Sequence, residues 1–453
     1  MLRPKQPRRP RPKSDHWFKP RRYAHFDHPV LSRKTAMEIV ATPEVVAAHP
    51  FLPLMTFEKR VRRFNSAGRE TPTGSTKVRK LAYCSNRDAV VYAWYASILS
   101  GLYDKRLKED GMSSLVTAYR KGSSNILLAL EAFDDIRRRG ACTVLALDIS
   151  GFFDNISHAV LKQHWADLVG DAQLPRDHFH VFTSLTRYSK VDRAACLQRL
   201  GIDPRTPNRE LKSPLCPISD FRARIRRASP LGSGLVERHR ETKGVPQGTP
   251  LSALAANISM LGFDRAMRDE AARLGATYRR YSDDILIICD PAVSADVSKF
   301  TIAALAKHAQ TLCIKDTKTQ IVEFPGANVR VLGKPLDYLG FTFDGRQILL
   351  RSATLARYWR RMAAAVRWAQ RMQSRAQKGK TPGRDTLHRR KLLMHFSHLG
   401  SESLYNRYAR NAAERMSAPA ILRQFRRHMA VLNARIDAPA WRRVRRRVRT
   451  LRS

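Results

Sequence analysis

Tyr281-Ser282-Asp283-Asp284 sets two adjacent carboxylates between the apolar-polar stretch Ala276 to Arg280 and the apolar run Ile285 to Cys289. Flanking runs of that length, rich in Ile and Tyr and joined by a two-residue tip, predict a β-hairpin with the acids at its turn. Neighbouring carboxylates repel, so a site that needs both supplies a cation between them. Taken alone, Asp-Asp also reads as a solvated turn, because Asp favours turns.

A second acidic position decides between these readings. Asp148 ends the strand-like run Thr143 to Leu147 and opens the stretch Asp148-Ile149-Ser150-Gly151-Phe152-Phe153-Asp154-Asn155-Ile156-Ser157-His158. Between the two acidic positions lies Gly244-Val245-Pro246-Gln247-Gly248-Thr249-Pro250-Leu251-Ser252, a Gly/Pro turn running into an apolar helix. An aspartate after one strand, a glycine-bracketed loop before a helix and a Tyr-x-Asp-Asp hairpin, in that order, resemble palm motifs A, B and C of reverse transcriptases. The resemblance covers about residues 75 to 345. It implies an α+β, right-hand polymerase fold with fingers, a palm built on an antiparallel sheet with packed helices, and a helical thumb.

The composition agrees with a nucleic-acid partner. Lys and Arg number 83 against 39 Asp and Glu, a formal net charge of +44. Release of counterions from a phosphate backbone drives binding by such a chain, and self-repulsion opposes its compact state in isolation. At 453 residues the chain is long enough to bury a core in two or three subdomains. The N-terminus begins with charge and proline rather than an apolar core, and no stretch approaches the ~18 apolar residues that span a bilayer. The expectation is a soluble, cytoplasmic protein without membrane attachment. Six cysteines without CxxC or zinc spacing read as reduced, mostly buried thiols.

Residues 1–35 are expected to be a basic, Pro/Arg-rich arm whose composition does not fold alone and which orders on RNA or on the body of the protein, a floppy solubilising tail being the other reading. Residues 36–140 are expected to be the fingers, 141–345 the palm with a basic insertion at about 168–243, and 346–453 a basic helical thumb and C-terminal extension. Helical periodicity places Ala89, Tyr92, Ala93, Ala96, Leu99 and Leu102 on one face, and a turn precedes a helix from Ile126 to about Arg139. In the last part, Leu355, Tyr358, Trp359, Met362, Val366 and Ala369 form one apolar stripe, with Arg357, Arg360, Arg361, Arg367 and Arg371 on the other faces.

The resemblance also implies a site. Asp148, Asp283 and Asp284 would hold two Mg²⁺ ions, with the backbone carbonyl of Ile149 as a further ligand. Phe153 falls where the family places a bulky aromatic under the sugar of the incoming nucleotide; a ring there clashes with a ribose 2′-hydroxyl, so the product is DNA. Phe152 reads as core, and Asp154 as a helix-starting cap. Lys77 and Arg79, on an alternating basic strand, match residues that hold the triphosphate, and an ordinary basic strand face is the other reading. Arg120 and Lys121 would face the template, and Gln247 the template or nascent pair. Gly244 and Gly248 would let the backbone approach nucleic acid, with Pro250 in the first turn of the following helix. Lys318 matches a motif D lysine that protonates the leaving pyrophosphate, with a solvated loop lysine as the alternative. Leu336 to Gly345 resembles the motif E primer grip, and Arg357 and Arg361 would lie along a template-primer duplex.

The Tyr-Ser-Asp-Asp form in one compact chain resembles bacterial retron-type and defence-associated reverse transcriptases. That implies an RNA-directed DNA polymerase that copies a dedicated, structured non-coding RNA from a primer with dNTPs, in antiphage defence, with or without an accessory protein. A group II intron-type reverse transcriptase/maturase and a non-catalytic RNA-binding protein are the alternatives. An RNA-dependent RNA polymerase shares the acids, and Phe153 argues against it.

Overall fold

The computed structural model describes residues 17–63, 75–120, 122, 124–227, 232–315, 319–377, 388–401, 403 and 405–438. Among them the strands are β1 (Leu54–Arg63), β2 (Ser75–Tyr83), β3 (Ala141–Asp148), β4 (Ser189–Asp192), β5 (Glu237–Arg238), β6 (Thr277–Tyr281), β7 (Asp284–Cys289), β8 (Gln320–Pro325), β9 (Leu336–Tyr338), β10 (Phe341–Phe343) and β11 (Ile348–Leu350). The chain divides into two units. One comprises Met1–Arg120, Leu147–Leu286 and Ala295–Thr319, and the other Lys121–Ala146, Ile287–Ser294 and Gln320–Ser453.

The expected α+β class is present, with a sheet that carries the acidic segments. Four strands pair in the order β6-β7-β3-β8, and β3 and β8 run antiparallel. Position in the sheet follows from hydrophobic pattern. The near-continuous apolar runs of β3 and β7 take the centre, with Val144, Leu145 and Ile285 to Cys289 all buried. Strand β8 alternates buried Val322 and Phe324 with exposed Ile321, as an edge strand does. Strands β6 and β7 form the anticipated hairpin around Ser282 and Asp283. β3 and β7 each begin in one unit and end in the other, and their ends bearing Asp148 and Asp284 belong to the first.

In the first unit a second sheet runs β2-β1-β4-β5. The long β1/β2 ladder is antiparallel from Met55↔Tyr83 to Arg63↔Ser75, while β4 pairs parallel to β1 with Leu54 opposite Lys190. Both β4 and β5 come from the stretch 168–243, so part of that stretch completes this sheet. Phe26, Met55, Tyr83, Val191, Cys196, Phe221 and Ile225 share one core. The Asp27 carboxylate accepts from the backbone N–H groups of Asn86 and Arg87 at the start of helix Asn86–Glu109, so residues from Trp17 onward order on the body of the protein. Residues 1–16 lie outside the described set.

In the second unit β9, β10 and β11 form a three-stranded antiparallel sheet, and Phe343 stacks on Phe133 at 4.7 Å. Helix Ser352–Gln377 buries Tyr358, Met362 and Val366 and exposes Arg357, Arg360, Arg361, Arg367 and Arg371, the division its periodicity predicts. Five of the six cysteines are buried, Cys313 is exposed, and all are free thiols. Among the described residues no helix is long and apolar enough to cross a membrane.

Candidate active site

Asp148 stands at the last position of β3 and Asp283 in the turn between β6 and β7, and both are half-buried. The backbone N–H of Ile149 donates to the carbonyl oxygen of Asp283 at 3.0 Å, which ties the end of β3 to the hairpin turn. On its other side the same segment bridges to Ile314, with Ser150 N–H on the Cys313 oxygen and Lys315 N–H on the Asp148 oxygen, both at 2.8 Å. That bridge uses the carbonyl of Asp148 rather than that of Ile149.

The turn itself is strained and strongly held. Ser282 has φ +60° and is 3 % exposed. A non-glycine residue keeps a left-handed backbone only when its surroundings over-determine it. Tyr119 Oη lies 3.0 Å from Ser282 Oγ, and Arg280 donates to the Ser282 carbonyl at 3.0 Å. Burial, together with neighbouring Tyr119 and Asp284, raises the Tyr281 phenol above its ordinary pKa.

Adjacent residues on an extended chain face opposite ways, and among the described residues no three His, Cys, Asp or Glu side chains gather into a metal-holding cluster. The donor set nevertheless fits a hard divalent cation: carboxylate oxygens on two strand ends joined by a backbone hydrogen bond.

Phe152 and Phe153 separate as expected, the first 4 % exposed and the second half-buried. They sit in a 3₁₀ turn, Phe152–Asn155, rather than on extended chain. Asp154 lies within that turn and caps no helix. Ser157 does so instead, accepting from Val160 N–H at the start of helix His158–Val169, because the 3₁₀ turn delays the helix by three residues.

The loop 244–252 packs on protein backbone. Gly244 has φ +93°, and a Cβ there would stand 2.8 Å from the Asp154 carbonyl oxygen; at Gly248, φ +135°, the Ala82 oxygen would be 2.1 Å away. Ala82 N–H donates to the Gln247 oxygen at 2.9 Å. Within the protein, the close approach these glycines allow is to the turn 152–155 and to β2. Pro250 precedes the helix, which runs Ser252–Ser259. The Gln247 side chain is half-buried and lines a cavity of about 240 Å³ together with Lys80, Asp154, Tyr188 and Lys190.

Other expected residues sit elsewhere. Arg120 is bound within the protein, to the Asp104 carboxylate at 2.7 Å and to the carbonyls of Ser113 and Val116. Arg79 is exposed on β2 opposite Lys59, and Lys77 pairs with Val61 on the same ladder. Arg357 and Arg361 are exposed on helix Ser352–Gln377 in the second unit. Lys121 and Lys318 lie outside the described residues. Sequence reasoning passes over Lys80, Tyr188 and Lys190, which line the cavity, and over the Arg280–Asp264 pair behind the turn. A strand arginine beside Arg279 and an aspartate in the first turn of a helix both have ordinary local readings, so neither announces the pair.

No curated protein matches the sequence. Solved structures that resemble the fold distantly include the following three. The apo telomerase of Candida tropicalis, truncated from its C-terminal domain, has a TM-score of 0.39 at 10% identity over 65% of this chain and 57% of its own. The Candida albicans telomerase in complex with the TWJ fragment of telomeric RNA has 0.39 at 13% identity, over 91% and 60%. The Sicinivirus 3Dpol RNA-dependent RNA polymerase has 0.36 at 13% identity, over 72% and 58%. The chain thus spans less than two thirds of the length of each. Residues 206–343 match the profile of the reverse transcriptase (RNA-dependent DNA polymerase) family, a span that takes in the 244–252 loop and the Tyr281–Asp284 turn and begins after Asp148. Residues 206–343 are thus the part of the chain that is similar to a reverse transcriptase domain.

Proposed function

We propose that the chain is an RNA-directed DNA polymerase that copies a structured non-coding RNA into DNA, with antiphage defence as its biological role. The observation that carries the catalytic reading is the 3.0 Å hydrogen bond from Ile149 N–H to the Asp283 oxygen, which joins the strand end bearing Asp148 to the acidic turn of the reverse transcriptase domain. The defence role rests on the Tyr-Ser-Asp-Asp form and its resemblance to retron-type enzymes.

Asp148 and Asp283, with the Ile149 carbonyl and with Asp284 nearby, are the oxygens that would hold Mg²⁺. Bound divalent cations would lower the pKa of the primer hydroxyl and neutralise the triphosphate. The protein's own part is positioning and charge. The Phe153 ring would stand against the 2′ position of the incoming sugar and exclude ribonucleotides. Gln247 would contact the nascent pair. Lys59 and Arg79 face each other across β1 and β2; like charges so placed are destabilising until a polyanion neutralises them. With Lys77 on the same strand they would take the triphosphate or template phosphates, and Arg357 and Arg361 the duplex backbone.

The test is to purify the protein from its native cell, sequence the nucleic acid that accompanies it, and incubate the complex with Mg²⁺ and labelled dNTPs. A defined RNA copied into DNA is the expected result. A complex that holds no RNA, or holds RNA and makes no DNA, would contradict the proposal.

A further inference from the structure

Directly behind the acidic turn lies an ion pair wholly removed from water. Arg280, in β6, and Asp264, in helix Leu261–Arg273, are both 0 % exposed. Their contact is a two-pronged fork, Nε to Oδ1 and Nη2 to Oδ2, each 2.7 Å. Tyr278 Oη donates to the same Asp264 Oδ1 at 2.7 Å. The remaining arm of the guanidinium, Nη1, donates to Asn257 Oδ1 at 3.1 Å and to the Ser282 carbonyl at 3.0 Å. Asn257 in turn donates to the Ala118 oxygen at 2.9 Å. Arg280 is also fixed through its backbone, its N–H on the Leu115 oxygen and its carbonyl on Thr117 N–H.

A buried ion pair is poor evidence for stability, because apolar residues of the same volume often serve the fold as well or better. What apolar residues do not supply is a donor aimed at one chosen carbonyl. Here that carbonyl belongs to Ser282, the left-handed residue immediately before Asp283. Its side-chain hydroxyl is held by Tyr119. The carbonyl and the hydroxyl of one strained residue are thereby bonded to two side chains, of which Arg280 is anchored on Asp264 and Asn257 outside the hairpin, and this fixes the direction in which the chain enters Asp283 and Asp284.

We propose that Arg280, oriented by Asp264, and Tyr119 are positioning residues that lock the Ser282 turn and so aim the Asp283 carboxylate toward the position shared with Asp148. Given Asp148 and Asp283 as the cation-holding carboxylates, on which this proposal rests, loosening the turn weakens cation binding and slows chemistry while leaving RNA and nucleotide binding in place. Arg280→Lys keeps the charge beside Asp264 and loses both the fork and the arm to Ser282. Tyr119→Phe removes one hydroxyl from a side chain whose residue is 51 % exposed, and leaves the core untouched.

Both variants are compared with the intact full-length protein for Mn²⁺ affinity by electron paramagnetic resonance without substrate, for the Mg²⁺ concentration giving half-maximal DNA synthesis, and for kcat and KM with dNTPs. The expected result for Arg280→Lys is Mn²⁺ affinity and Mg²⁺ requirement each worsened about five-fold or more and kcat lowered about ten-fold or more, with KM for dNTPs within about three-fold and RNA binding unchanged. Tyr119→Phe shifts the same quantities in the same direction by a smaller factor. A folded Arg280→Lys variant with native cation affinity and kcat overturns the proposal. If Arg280→Lys does not fold, Tyr119→Phe decides: a weaker Mn²⁺ affinity supports the lock, and an unchanged one overturns it. An intact protein that makes no DNA with Mg²⁺ would instead sink the polymerase reading, an outcome distinct from variants that match an active parent.

Discussion

Ile149 N–H and the Asp283 carbonyl oxygen stand 3.0 Å apart, a backbone hydrogen bond between the residue that follows Asp148 and the residue at the tip of the acidic hairpin. Main-chain bonds of this kind fix strand ends regardless of side-chain rotamer, so the two carboxylates share one frame. The turn 152–155 is itself tied to the loop 244–252, where Val245 N–H donates to the Phe153 oxygen at 2.8 Å.

Phe153 is half-buried in this turn, so shortening it should change sugar selection more than folding. Phe153→Val is expected to lower discrimination between dGTP and GTP, measured as the ratio of kcat/KM values, by about 10- to 100-fold, the scale of one lost steric contact. An unchanged ratio would remove Phe153 from that role.

Gly248 is held to glycine by two independent constraints, φ +135° and an Ala82 oxygen 2.1 Å from where a Cβ would stand. Gly248→Ala should destabilise the fold by more than about 2 kcal/mol in denaturant unfolding, because either β2 or the loop must move. Gly111→Ala, at φ +64° with nothing within 4 Å, is the control and should cost about 1 kcal/mol. Equal losses at the two sites would contradict the packing of the loop on β2.

How far the sequence foretells this site depends on the range of the interactions involved. The β6/β7 hairpin, β3 and the stripe Tyr358-Met362-Val366 are written in local periodicity and appear where that periodicity puts them. Gly248 and Arg120 each answer to partners distant in the chain or in another element, Ala82 in one case and Asp104 in the other. Their types announce a special role, and only the fold says toward what. Strands β4 and β5 are four and two residues long, with no alternation to betray them; β4 exists because β1 offers an edge to pair with, and β5 because β4 offers the next. Asp154 had the composition of a cap, yet the intervening 3₁₀ turn hands that role to Ser157.

Acid should weaken the fold earlier than carboxylate protonation alone would. Burial lowers the pKa of His25, of His158 and of His164 below the ordinary 6.5. Each is therefore held neutral in the folded state, while the unfolded chain takes up a proton near pH 6.5. The stability they contribute is full above that value and falls as pH drops from 6.5 through the lowered folded values. Melting temperatures should decline between pH 7 and pH 5.5, and a flat profile there would contradict the buried neutral state.

Arg357 and Arg361 are exposed on one helix and have open access to phosphates. Replacing both by Gln should lower the slope of log K against log salt for RNA binding by about 1.4 to 1.8, at 0.7 to 0.9 per lost contact, and leave kcat at saturating template unchanged. A slope equal to that of the parent would place the duplex elsewhere.

The most direct measurement is DNA synthesis on a primed RNA with Mg²⁺ and labelled dNTPs, run side by side with the intact protein and the Asp283→Ala/Asp284→Ala variant at matched folding and RNA affinity. Loss of the acidic turn should cost at least about a thousand-fold in rate, some 4 kcal/mol of barrier, with the variant still binding RNA. Synthesis by the variant within ten-fold of the intact protein would show that the turn of the hairpin is not where the chemistry happens.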